Sequence, residues 1–179
     1  MRNGTGPNNH RWLRKLLRGE PHQLIYNSHR ELYLRRWYVI PRNPLLNVYI
    51  HQFIHSDDDR APHDHPWWFI SWVLKGRYME HTDTGVIRRE RWSWAFRRAV
   101  HRHIVKLDVT MTQDRYEDGS WARSVSPQDV PAWTLLITGR RVRQRGFWCP
   151  TRYTVGPEPY NPAARFVPWQ DFGAGGCGE

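Results

Sequence analysis

The stretch Pro62-His63-Asp64-His65-Pro66-Trp67-Trp68-Phe69-Ile70-Ser71-Trp72-Val73-Leu74-Lys75-Gly76 decides how the rest of this chain is read. From Trp67 to Leu74 it is almost continuously apolar, bounded by Pro66 and Gly76, which reads as a strand. Strand side chains two apart share a face. His63, His65, Trp67, Phe69, Ser71 and Val73 therefore fall in one row, and Trp68, Ile70, Trp72 and Leu74 in the other. Both rows are apolar enough to predict burial on both faces. Two imidazoles entering such a strand need partners for their ring nitrogens, and a divalent transition metal, bound by histidine at about 2 Å, is one. A third ligand has to come from another element. Val100-His101-Arg102-His103-Ile104 offers a second His-x-His, with His103 the first choice and His101 the alternative. Asp64 points away from such a site by parity, and Glu80 reaches it only if a bulge shifts its strand. For His10, His22, His29, His51, His55 and His81 an ordinary structural role is expected.

On either side the pattern is also that of short strands. Residues 32–40, 47–55, 77–82, 90–96, 100–109 and 132–138 are rich in β-branched and aromatic side chains, with Asp83-Thr84-Gly85 as a turn. Many short strands without a long helical period predict an all-β barrel or jelly roll. Residues 112–130 are polar, contain Pro and Gly, and read as a long loop. Residues 11–18 place Trp12, Leu13, Leu16 and Leu17 on one side of a short amphipathic helix, stopped by Gly19 and Pro21 and expected to pack on the barrel. The expected organisation is a flexible tail and helix over 1–20, a barrel over 21–172 and a disordered Gly-rich tail over 173–179.

At 179 residues the chain suits one hydrophobic core. Of its 27 basic residues three are lysines, leaving 24 arginines, and the formal net charge is +10. That sign favours acidic partners such as nucleic acid, phosphorylated metabolites or anionic lipid. Its 11 tryptophans fall mostly in predicted strands, where core packing accounts for them, although Arg with Trp also suits phosphate contacts and base stacking. Cys149 and Cys177 are the two cysteines, the second in the tail, so no disulfide is expected, a reducing compartment fits, and Cys149 reads as a small buried hydrophobe. No apolar run is long enough to span a membrane and no apolar signal core is seen, which predicts a cytoplasmic protein. Asp57-Asp58-Asp59 reads as solvated or paired with Arg60.

At the histidines the sequence resembles the cupin superfamily. His63 and His65 match that family's His-x-His, Gly76 falls at its closing glycine, and Phe69 stands where the family carries a glutamate ligand. Arg98 to His103 has the spacing of the second cupin motif, with His103 at the ligand position but without the motif's Pro and Gly. This likeness covers roughly residues 47–110. Across about 33–172 the chain is also similar to small cupin-like proteins carried by bacteriophages, on phrases such as Trp133-Thr134-Leu135, Gly146-Phe147-Trp148-Cys149-Pro150 and Val167-Pro168-Trp169; a phage origin places it in the host cytoplasm.

The resemblance implies an all-β, cupin-type jelly-roll barrel (double-stranded β-helix) with a short N-terminal helix, one divalent metal and a homodimer. Cupins with three histidines and no acid include thiol dioxygenases that use ferrous iron, so Fe2+ is favoured, with Mn, Ni or Zn as alternatives. The function so implied is that of a metal-dependent, dioxygenase-type oxidoreductase acting on a small anionic substrate. Arg97 and Arg98, or the arginines of 140–145, would clamp the anion, with Phe69 lining the pocket. The alternatives are a metal-binding cupin module, a phosphosugar- or nucleotide-tailoring isomerase associated with nucleic acid, or a metal-free pocket lined by the same histidines.

Overall fold

Alternation of buried and accessible side chains along the chain shows the two-residue period of half-buried strands. The computed structural model describes residues 9–27, 29–57, 61–115, 121–149, 164–172 and 177. Helix α1 (Asn9–Leu17) is followed by β1 (Gln23–Tyr26), β2 (Leu32–Tyr38), β3 (Asn47–Phe53), β4 (Phe69–Lys75), β5 (Tyr78–Thr82), β6 (Gly85–Arg89) and β7 (Trp94–Arg97). Then come β8 (His103–Leu107), β9 (Val109–Arg115), β10 (Trp121–Asp129), β11 (Ala132–Thr138), β12 (Gly146–Cys149), β13 (Arg165–Pro168) and the single-turn α2 (Trp169–Phe172). The helix meets the sheet through Trp12, whose Nε1 donates to the Tyr38 carbonyl at 2.8 Å, while Leu13 and Leu17 of the predicted apolar side stay exposed; Trp37 Nε1 donates to the Gly19 carbonyl just past the helix at 2.8 Å.

Every strand pairing among the described residues is antiparallel. One sheet runs β1-β2-β3-β11-β4-β7. The other contains β6-β5-β8 and β12-β13. His63 joins these two pieces through isolated bridges to His103 at the start of β8 and to Phe147 in β12. Strands distant in sequence thus alternate within each sheet, as in a jelly roll. In place of the loop that residues 112–130 predict, β9 and β10 form a hairpin, with Gln113 opposite Val125 and Val109 opposite Asp129. This pair stands apart as a two-stranded sheet. It needs no apolar row and tolerates Pro127, since proline is accepted on edge strands.

The core lies between the sheets, where Val73, Tyr78, Val105, Leu107 and Ala132 cluster with Phe53 against them. In β4 the predicted inward row holds, with Phe69 and Val73 buried, but the outward row is not sealed: Trp72 is 42% exposed. Gly76 turns the chain from β4 to β5 at φ 77°, and a Cβ there would lie 2.8 Å from the Pro131 carbonyl oxygen. Both the conformation and the space therefore require glycine.

Cys149 and Cys177 are disulfide-bonded, across a separation of 28 residues. This corrects the expectation of an unpaired, merely space-filling Cys149, and removes the argument for a reducing compartment. Cys149 sits in a small cluster with Ala61, Val167 and Phe172. The rest of the 173–179 tail lies outside the described residues, as do residues 1–8 and Asp58 to Arg60. Among the described residues no helix is long and apolar enough to cross a membrane.

Candidate metal centre

His63 enters the second sheet as a paired residue. Its N–H donates to the His103 carbonyl at 3.0 Å and its carbonyl accepts from the His103 N–H at 3.0 Å. Residues that exchange both backbone hydrogen bonds lie directly opposite and present their side chains to the same face. The ring centroids of His63 and His103 are 4.8 Å apart, and His65, two residues on, brings its ring to 5.1 Å from each. One coordinating nitrogen from each of His63, His65 and His103 lies within 4.8 Å of the others. His101 instead faces Glu80, its Nε2 3.1 Å from Oε1, and groups with Glu80 and His103. The backbone bridge brings His103, rather than His101, beside His63 and His65.

Two carboxylates stand behind the rings. Glu80 Oε1 lies 3.1 Å from His103 Nδ1. Asp57 Oδ2 lies 3.7 Å from His63 Nδ1, and is itself fixed by the Val105 N–H at 2.6 Å while Asp57 Oδ1 accepts from the Tyr33 hydroxyl. A carboxylate at Nδ1 holds the proton there and leaves the Nε2 lone pair facing forward. The Nε2 atoms of His65 and His103 are 2.9 Å apart. That is about the separation of two imidazole nitrogens bound at adjacent positions around one ion, given bond lengths near 2.0–2.1 Å. The donor set fits a divalent transition metal: three imidazoles, two of them backed by acids. Burial pushes His63 down to about 3, against the partial support of Asp57. Burial likewise holds His65 well below the ordinary imidazole range, with His103 and His63 adding to it. Both rings are therefore neutral near pH 7, the form in which imidazole coordinates metal.

Glu80 is 3% exposed and reaches His103 from an unshifted β5 register, so no bulge is needed. The register of β5 against β8 places this carboxylate behind His103 rather than among the three converging nitrogens. Its other oxygen accepts from Arg89 Nε at 2.7 Å and Arg97 Nη2 at 2.8 Å. Burial alone would raise its pKa, but hydrogen bonds from His101, His103 and Arg89 outweigh that and hold it below the usual carboxylate range. Arg97 is thereby paired with Glu80, and Arg98 lies exposed beyond the end of β7. Phe69 is 4% exposed and stands edge-on to His65 at 4.7 Å, walling the cluster where a carboxylate ligand was absent in sequence. Asp64 faces the opposite way, as parity predicts. It accepts from the Gly146 N–H at 2.9 Å, from Trp148 Nε1 at 3.0 Å and from Arg143 Nη1 at 2.9 Å.

Farther along the same interior, Arg36 donates through Nε to His51 Nε2 at 2.8 Å and lies 5.0 Å from the Tyr49 ring centroid. His51 is 4% exposed, and burial followed by the charge of Arg36 holds its pKa well below the ordinary value. Burial lowers the pKa of Arg36 and of Arg145, and each also feels nearby ionisable groups of this interior. Arg145 is nevertheless exposed, its guanidinium 5.8 Å from the Trp169 ring centroid. Among the described residues neither arginine has a carboxylate within ion-pair distance.

Two antiparallel sheets, interleaved strands and histidines converging from β8 and the segment before β4 are now in place. The fold is of the jelly-roll type. Solved structures similar to this chain include a cupin-2 domain protein from Rhodospirillum rubrum, at 13% identity over 67% of each chain with a TM-score of 0.45. An RmlC-like cupin from Shewanella frigidimarina matches at 14% identity, covering 60% of this chain and 77% of that one, with a TM-score of 0.41. The DMSP lyase DddQ from Ruegeria pomeroyi matches at 14% identity and a TM-score of 0.41, and this chain spans 47% of its length. No protein-family profile and no curated protein matches the sequence. Overlaps this partial carry nothing about the chemistry of the site, which stands on its own geometry.

Proposed function

We propose that this chain is a metal-dependent, cupin-type enzyme in which His63, His65 and His103 hold one divalent transition metal beside a small anionic substrate. The observation that carries this reading is the convergence of three imidazoles, with the Nε2 atoms of His65 and His103 2.9 Å apart and carboxylates behind His63 and His103. A neutral ligand set suits ferrous iron, with Mn, Ni or Zn as alternatives. When bound there, such an ion supplies Lewis-acid or dioxygen chemistry, of which a dioxygenase-type oxidation is the favoured form. Glu80 and Asp57 keep the ring protons on Nδ1. Phe69 shields one side of the cluster from water. Arg36 and Arg145, which among the described residues have no carboxylate within ion-pair distance, take the anion-holding role in preference to Arg97, which is paired with Glu80.

Elemental analysis of the purified protein beside a His63→Ala/His65→Ala variant tests the reading. One equivalent of transition metal is expected in the native chain and a small fraction of that in the variant. Equal metal content in both proteins would end it.

A further inference from the structure

The six-stranded sheet has a second face, turned away from the histidines. On it Trp72 of β4 lies opposite Trp94 of β7, and Ile70 opposite Phe96. Directly opposed residues share a face, so these side chains form one surface. Trp72 is 42% exposed, Trp94 66%, Phe96 49%, and Trp92, in the turn before β7, 57%. The rings touch in sequence around the patch: Trp92 to Trp72 at 6.2 Å between centroids, and Phe96 to Trp68 at 6.0 Å. Helix α1 lies across β2, at the far side of this sheet, and β7 is an edge strand. Contiguous aromatic area of this kind, left in water, marks a binding surface. It also corrects the expectation that core packing accounts for the tryptophans.

Trp92 adds a second, independent sign. Its φ is 71°, in the left-handed region that a bulky side chain avoids. The turn is held by the Trp92 N–H to the Val73 carbonyl at 2.8 Å and by Trp72 Nε1 to the Trp92 carbonyl at 3.1 Å, neither of which uses the Trp92 indole. Glycine would fill this position without strain. Strain retained to present an exposed indole points to use of that indole.

The charge around the rings selects the partner. The Arg91 guanidinium lies 4.7 Å from the Trp92 ring centroid. Arg98 follows Phe96 at the two-residue strand spacing, and Arg98, Arg140 and Arg141 are all exposed. Arg140 and Arg141 follow Gly139, whose N–H donates to the Trp68 carbonyl at 3.0 Å. The acid of the turn, Glu90, is paired with Arg88 at 2.9 Å. A second copy of this chain, at net charge +10, would set like charge against like. Flat rings on a rigid sheet, rimmed by guanidiniums, match unpaired bases joined by phosphates. We propose that the outer face of β4 and β7 binds single-stranded nucleic acid, stacking bases on Trp92, Trp94 and Phe96 and meeting phosphates with Arg91, Arg98, Arg140 and Arg141. The proposal is independent of the metal reading.

Fluorescence anisotropy of a labelled oligothymidylate, and of its RNA counterpart, against the full chain tests it across a salt series. Trp94→Ala and Phe96→Ala each weaken binding roughly fivefold to a hundredfold at fixed salt. Arg98→Gln shrinks the slope of log affinity on log salt by about 0.7. Trp92→Gly weakens binding while unfolding at the same or a higher temperature, which separates recognition from folding even if an alanine variant fails to fold. The proposal is overturned by absent binding, by equal binding of wild type and all three aromatic variants, or by preference for duplex over single strand. It is also overturned if phosphatidylserine vesicles bind more tightly than the oligonucleotide, or if sedimentation shows a dimer that Trp94→Ala splits and that occupies the face.

Discussion

Replacing Glu80 with glutamine probes both the fold and the histidine cluster with the change of one atom. In the native chain one carboxylate serves His101, His103, Arg89 and Arg97, at distances from 2.7 to 3.1 Å. The side chains of Arg89 and Arg97 are 14% and 17% exposed, so removing the negative charge leaves two guanidiniums uncompensated in a largely dry setting. Breaking a buried ion pair from one side costs about 3–5 kcal/mol, and the amide oxygen that remains keeps one acceptor, which argues for about 3 kcal/mol. For a chain of this length that corresponds to a fall in Tm of about 6–12 °C. The His103 Nδ1 proton also loses its anionic partner, which is expected to weaken metal binding about 10- to 100-fold. Because the folded pKa of Glu80 lies below its ordinary 4.5, the native protein holds this stabilisation above that pH and loses it as pH falls toward the folded value. The stability gap between the two proteins therefore closes in acid. Thermal unfolding of metal-free native and Glu80→Gln protein from neutral pH to about pH 3, with a metal titration at neutral pH, measures all three effects. A Tm within about a degree of native, with unchanged metal affinity, would refute the reasoning.

Acid should destabilise the metal-free chain well before Glu80 titrates. His51, His63 and His65 are held neutral below their ordinary 6.5, so the unfolded chain takes up protons that the folded one refuses. Stability is expected to be flat above about pH 7 and to fall by up to about 1.4 kcal/mol per pH unit per histidine below 6.5; denaturant titrations that overlay at pH 7.5 and 5 would contradict this. Reducing the Cys149–Cys177 bond, or making Cys177→Ser, should cost about 3–4 kcal/mol from the loop that it closes, read as a lower denaturant midpoint with and without reductant. Gly76→Ala should cost about 1–3 kcal/mol in chemical unfolding, because its φ of 77° and the Pro131 carbonyl both oppose a Cβ. Arg145→Gln should leave metal content unchanged while abolishing the thermal stabilisation that millimolar inorganic phosphate gives the native protein; a phosphate shift that persists would remove Arg145 from the anion-holding role.

Local pattern carried the apolar strands and the face of the histidines, but not the polar β9–β10 hairpin or the short β1, β6, β12 and β13. The parity of His63, Asp64 and His65 is a property of three consecutive residues, and the apolar run from Trp67 to Leu74 is one of eight, so both were legible. What depends on which strand lies beside which was not. His103 is separated from His101 by a backbone bridge to a residue forty positions earlier. Glu80 and Asp57 gain their roles through register, and no spacing rule predicts them. The exposed tryptophans were misread for a related reason: alternation says that two rows of side chains exist, but not which row is covered. Cys177 in a Gly-rich segment gave no signal of its partner, because disulfide pairing across 28 residues is set by tertiary proximity alone.

The tripeptide His63-Asp64-His65 serves two masters, with both imidazoles on one side and the carboxylate between them tying down Gly146, Trp148 and Arg143 on the other. Its tolerance of length change follows from that. Inserting a single residue between His63 and Asp64, inside the bridged segment, would turn Asp64 toward the imidazole side and His65 away from it, and strand the Arg143 cation. Substitution at these positions is graded in its effects, but a one-codon indel is all or nothing. Natural variation in the length of this segment is therefore expected in steps of two residues, or not at all.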